Sequence, residues 1–186
     1  MIGGLLTLVI AAVGAAYGGL VIRAAPTRRD NVMFGALAMT DAAMILWRGV
    51  NVLSGESIVD PTVQVPCAMG SVALALFTID FLTGFPRRPA MSWRWRLLLI
   101  AWGASAIAIV AFADEGKPFA AFRLAEVTFY MPATLLVFVL GGIAWRRTHD
   151  RDARTVIAML WFRWAFGLGA YLGGPLLGIF EEAVWA

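Results

Sequence analysis

Apolar and polar residues along this chain neither alternate with a period of two nor keep to a single helical stripe. They fall into long apolar blocks separated by short charged connections. Six blocks emerge, over residues 2–22, 32–53, 62–85, 95–112, 119–145 and 156–180. Each is near the ~20 residues that an α-helix needs to cross a ~30 Å hydrocarbon core. The fifth is overlong and is expected to tilt or to begin in the interface. Helices are the expected element, because backbone polar groups cannot go unpaired in lipid and the alternation of barrel strands is absent. Connections such as 23–31 and 113–118 are short, which makes successive helices antiparallel neighbours. The expected fold class is therefore all-α, a polytopic bundle of six transmembrane helices forming one integral membrane domain over 1–186.

Charge placement adds orientation. Eleven of the fifteen basic residues fall in three clusters, Arg23/Arg28/Arg29, Arg87/Arg88/Arg94/Arg96 and Arg146/Arg147/Arg151/Arg154. The connections on the other side carry Glu56, Asp60, Asp114 and Glu115, with Lys117 as their one cation. By the positive-inside rule the clusters are cytoplasmic and both termini lie outside, an N-out/C-out arrangement in the inner (cytoplasmic) membrane of a bacterium. Trp93, Trp95 and Trp145 sit at the expected inner boundary, where belt residues belong. Residues 1–22 lack the basic start of a signal peptide and are expected to be a first membrane helix. Composition agrees: 61% of residues are hydrophobic and 15% charged, against roughly 45–50% and 25% in soluble domains. The net charge of +3 sits beside membrane-length segments, so the lipid bilayer, not nucleic acid, is the expected polyanionic partner.

Candidate chemistry is sparse. A single cysteine, Cys67, leaves no intramolecular disulfide, and a single histidine, His149, leaves no bis-histidine haem or histidine-rich metal centre. There is no phosphate-binding glycine loop with its lysine and no HExxH. The absence of a lysine within any apolar block argues against a retinal Schiff base. No enzymatic activity, metal or cofactor is expected.

Apart from Arg96 at the edge of the fourth block, six charged residues lie inside the blocks: Asp41, Arg48, Asp80, Arg123, Glu126 and Arg163. A lone charge at a helix centre costs on the order of 2.5–3.5 kcal/mol, so partners are expected. Depth along each block suggests Arg48 with Glu126 on the outer side and Asp80 with Arg163 on the inner side, which leaves Asp41 near the midplane without an evident partner. Asp41 and Arg48 are two helical turns apart and share a face. The functional alternative is an outward-opening polar cavity in which Arg48, Arg123 and Glu126 meet a ligand above Asp41. Small residues mark two helices: Ala11, Gly14, Ala15, Gly18 and Gly19 in the first, and Gly169, Gly173, Gly174 and Gly178 around Pro175 in the sixth. Such stripes allow close packing within the chain or a homo-oligomer face. Pro66 and Pro132 are expected to kink their helices.

A further likeness rests on the second and third blocks. The run 31–53, with Trp47 late in it, precedes a segment ending Phe77-Thr78-Ile79-Asp80-Phe81-Leu82-Thr83-Gly84-Phe85-Pro86 before a basic loop. This resembles the N-terminal seven-helix membrane sensor region of bacterial histidine kinases. The resemblance implies an outward N-terminus and a receptor-like bundle that perceives a signal in or outside the membrane. The chain shows six blocks instead of seven and no kinase region, so output through a fused domain is not expected. No site residue is taken from the resemblance. The expected function is a sensor-like ligand- or partner-binding module, or an accessory subunit of a membrane complex. A small ion, proton or solute transporter or channel subunit using Asp41 or Asp80 is the alternative, and a holin-like lysis protein the third.

Overall fold

The computed structural model describes residues 2–55, 61–85, 91–112, 121 and 124–176. Among these residues the chain is all-helical. The helices are α1 (Ile2–Ala24), α2 (Arg29–Ser54), α3 (Pro61–Gly84), α4 (Trp93–Ala111), a π-helical turn (Glu126–Tyr130) running into α5 (Met131–Arg147), and α6 (Arg151–Leu176). Four stretches, Arg29–Asn51, Val63–Gly84, Trp93–Ala111 and Glu126–Arg147, are long and apolar enough to cross a membrane, and Leu8–Ala24 is a shorter apolar one.

The helices start and stop where local chemistry permits, which is often outside the apolar blocks. Ala25-Pro26-Thr27-Arg28 forms a turn closed by the Arg28 N–H donating to the Ala25 carbonyl at 3.1 Å, with proline where its fixed φ suits the bend. Asp150 caps α6: its Oδ1 accepts from the Asp152 N–H at 3.1 Å, and its carbonyl accepts from the Arg154 N–H at 3.1 Å. The sixth helix therefore begins at Arg151, five residues before the apolar onset at 156.

α3 is the centre of the bundle and packs against α2, α4 and α5. Apart from Asp80 and a few uncharged polar residues its faces are apolar, as suits a surrounded helix; 44% of its membrane-length window is buried, against 17% for α4 at the edge. Ala75, Ile79, Phe81 and Leu82 of α3 are buried together with Ala106 of α4 and Ala133 and Val137 of α5. Outward positions on α4 and α5, such as Leu97, Leu98, Leu135 and Val139, are apolar and exposed. That surface suits lipid contact better than water.

α1 is fastened to α2 by close approach. A Cβ placed on Gly18 would stand 2.8 Å from the Gly35 carbonyl oxygen and 3.2 Å from the Ala38 Cβ, and one on Gly14 would stand 3.3 Å from the Ala42 Cβ. Of the small-residue stripe in the first helix, Gly14 and Gly18 are thus taken up inside the chain, whereas Gly19 meets nothing within 4 Å. The side chains of 166–176 and all of 177–186 lie outside the described residues, and the glycine spacings around Pro175 lie there with them.

The expected kink at Pro132 takes a different form. The π-helical turn ends just before it, and Pro132 occupies the opening turn of α5. An α-helical ladder would have residue 132 donate its N–H to the Thr128 carbonyl, which proline cannot do. The Trp102 indole N–H of α4 donates to that carbonyl instead, at 2.9 Å. Phe129 is fully buried beneath, its ring centroid 4.7 Å from that of Trp102.

Candidate functional site

Among the described residues two clusters of paired charge stand out, and neither is the pair expected from block depth. The first joins α2 to α6. Arg163 Nε donates to Asp41 Oδ2 at 2.9 Å, and its Nη2 donates to Asp41 Oδ1, a two-pronged guanidinium–carboxylate contact. Asp41 is twelve residues beyond Arg29, the start of α2, and Arg163 is twelve residues beyond Arg151, the start of α6. At ~1.5 Å per residue both lie about 18 Å from the same end of the bundle, near the middle of their helices. Equal depth is what makes the pairing possible. The expected partnership of Asp80 with Arg163 fails because Asp150 starts α6 early and so carries Arg163 deeper than the apolar onset implies. Asp41, expected to lack a partner, has this one.

The second cluster sits at the arginine-rich end. Asp80, four residues before the end of α3, accepts from Arg96 Nε at 3.1 Å and from Arg96 Nη2 at 3.0 Å to both carboxylate oxygens. It also accepts from Arg29 Nη2 at 3.1 Å. Arg29 opens α2, and Arg96 lies in the first turn of α4. Three helix ends are therefore tied together through one carboxylate. Arginines expected to set orientation and to face lipid headgroups here also neutralise a charge within an apolar helix.

Glu126 is buried at the first residue of the π-helical turn, with 3% of its surface exposed. A π-helical turn inside an α-helix is frequent at functional sites. Its expected partner Arg48 lies on α2, but the Arg48 side chain and the whole of Arg123 lie outside the described residues, so the outer group of Arg48, Arg123 and Glu126 is not assembled here.

Between α2 and α3 an open groove of about 410 Å³ is lined by Met39, Thr40, Ala43, Met44, Trp47, Pro66 and Gly70. Thr40 places its rim beside Asp41 in sequence. Gly70 has room for the Met44 side chain only because it lacks a Cβ, and the Ser71 hydroxyl donates to the Met44 sulfur at 3.4 Å. The lining is soft and apolar, with methionines that repack readily. Sequence patterning missed this groove, since Met39, Ala43, Met44 and Trp47 read as ordinary apolar positions of a membrane-length helix.

Among the described residues no group of three or more His, Cys, Asp or Glu is gathered as a metal site would require. Comparison with family models, with characterised proteins and with solved structures finds no match to this chain.

Proposed function

We propose that this is a multi-pass protein of the cytoplasmic membrane, of six spans with both termini outside. Its role is non-enzymatic: a sensor-like module that binds a ligand or a partner within the membrane. The observation that carries this reading is the Asp41–Arg163 contact at mid-depth. A sensing element needs two discrete arrangements that a binding event can bias. A charge pair between two membrane helices supplies such an element, because separating it leaves two uncompensated charges in a low-dielectric setting. The open groove beginning one residue away, at Thr40, offers a surface from which a bound molecule would act on α2. Recognition in the outer half by Arg48, Arg123 and Glu126 belongs to the same proposal. An accessory subunit of a larger complex would use the pair in the same way, with a partner helix as the bound species.

Transport of an ion or proton through Asp41 is the second reading, favoured by the 24% of the Asp41 side chain that remains exposed. Against it, both carboxylate oxygens are engaged by one guanidinium. Purification in mild detergent, with identification of bound proteins and lipophilic molecules, separates the two when combined with liposome flux. The expected result is a defined companion on the wild-type protein that is lost from Asp41→Asn and Arg163→Gln, with liposomes silent under ion and pH gradients. A flux that Asp41→Asn abolishes would replace the sensor reading with transport.

A further inference from the structure

The cluster at the arginine-rich end does not cancel its own charge. Arg29 and Arg96 set two cations against the single carboxylate of Asp80. The N-termini of α2 and α4, which carry these arginines, add the positive ends of two helix dipoles. Asp30 follows in the first turn of α2, while the exposed Arg28 and Arg94 flank the cluster on the positive side. Exposure is divided unevenly: the Asp80 side chain keeps 14% of its surface, against 34% for Arg29 and 43% for Arg96. The carboxylate is covered, and the two arginine side chains are its more exposed partners. A guanidinium carries five N–H donors, and Asp80 engages two nitrogens of Arg96 and one of Arg29. Gly84 adds a steric element, because a Cβ there would collide with Nη1 of Arg29; the absent side chain lets Arg29 lie across the end of α3. Trp93 and Trp95, 66% and 63% exposed in the same first turn of α4, are residues typical of headgroup depth.

We propose that Arg29 and Arg96, positioned by Asp80 and by the space at Gly84, form a binding site for a phosphate group, with the headgroup of an anionic phospholipid as the source that its position favours. Planar guanidiniums take phosphate through paired, charge-assisted N–H···O bonds. A basic pocket between helices at the cytoplasmic side is where such headgroups are held. The choice of lipid over soluble phosphate rests on the membrane reading above, and the arginine geometry does not.

The test uses the full-length protein in a mild detergent, stripped of lipid. It is titrated in one arm with phosphatidylglycerol against phosphatidylcholine, with bound lipid counted by native mass spectrometry. The other arm titrates inorganic phosphate, read by thermal shift. Arg96→Lys keeps the charge but loses the planar fork, and Gly84→Ala displaces the Arg29 head without changing any charge. Each is expected to weaken binding about tenfold, the loss of roughly one charge-assisted contact. Arg23→Gln removes a cation from the same end of the bundle and is expected to leave binding within twofold. Preference for phosphatidylglycerol, or saturable phosphate binding, that follows this pattern supports the site, and the responding arm identifies the source. Binding in neither arm overturns the proposal, as does equal weakening by Arg23→Gln and Arg96→Lys, which would mark diffuse surface charge. Asp80→Asn gives a second check. Diffuse attraction strengthens when a negative charge is removed, whereas a built site weakens as its arginines lose their positioning group.

Discussion

Thr128 shows how a single backbone atom ties two helices together. Its carbonyl is the one that Pro132 leaves without an α-helical donor, and the indole of Trp102 reaches across from α4 to supply one at 2.9 Å. The two residues should therefore be coupled. Trp102→Phe is expected to lower stability by about 0.5–1.5 kcal/mol, the usual net value of such a bond. In a Pro132→Ala background residue 132 can donate, and the same substitution should cost clearly less. Unfolding of the four proteins in detergent, arranged as a double-mutant cycle, measures the coupling; strict additivity would mean that the indole bond does not answer the proline. The sequence shows Pro132 and Trp102 separately, but nothing in residue pattern says that one compensates the other. That relation exists only once α4 and α5 are side by side. Asp41 and Arg163 make the same point, since their pairing turns on a cap at Asp150 that an apolar-block reading passes over.

At the scale of the helix, the two adjacent glycines of α1 have opposite standing. Gly18 faces the Gly35 carbonyl oxygen of α2 at a separation that a methyl group cannot share, and Gly19 faces open space. Gly18→Ala must push two backbones apart and is expected to cost about 1–3 kcal/mol, in the range of overpacking changes. Gly19→Ala is expected to be neutral or to stabilise by up to about 1 kcal/mol through better helix propensity. Thermal unfolding of the two variants checks the contrast, and equal effects would show that α1 does not dock on α2 through this face. Much about the elements was legible beforehand. The apolar blocks located α1 to α4 to within a few residues, because a run of apolar side chains and a helix that shelters them have similar lengths. The errors are systematic. α2, α4 and α6 all begin before their apolar blocks, at Arg29, Trp93 and Arg151, because turn and cap chemistry governs where a helix starts.

For the molecule as a whole, the three arginine clusters and the helix order place the starts of α2, α4 and α6 and the ends of α1, α3 and α5 at one end of the bundle. The six-span proposal makes that end cytoplasmic. A reporter active only outside the cytoplasm, fused after Glu182, should be active, and the same reporter fused after Arg88 should be silent. A cytoplasmic signal at 182 would remove one crossing from the proposed topology. The candidate site was less legible than the fold. The intramembrane charges were visible as exceptions to an apolar pattern, but which cation answers which anion depends on depth and rotation. Block boundaries blur both by a helical turn. Asp80 is the instructive case: its partners, Arg29 and Arg96, stood in plain view as topology signals, where a structural role is easily overlooked.

The contact between Asp41 and Arg163 also has a history in time. The two residues are 122 positions apart, and at synthesis rates of roughly 5–20 residues per second the first waits on the order of 6–24 s for the second to be made. Throughout that interval α2 carries a carboxylate whose counter-ion does not yet exist. The contact between α2 and α6 is therefore incomplete until α6 arrives. Arrival of α6 is the event that retires a standing electrostatic debt, and a ribosome stalled before residue 163 would leave behind an intermediate marked by that one unanswered charge.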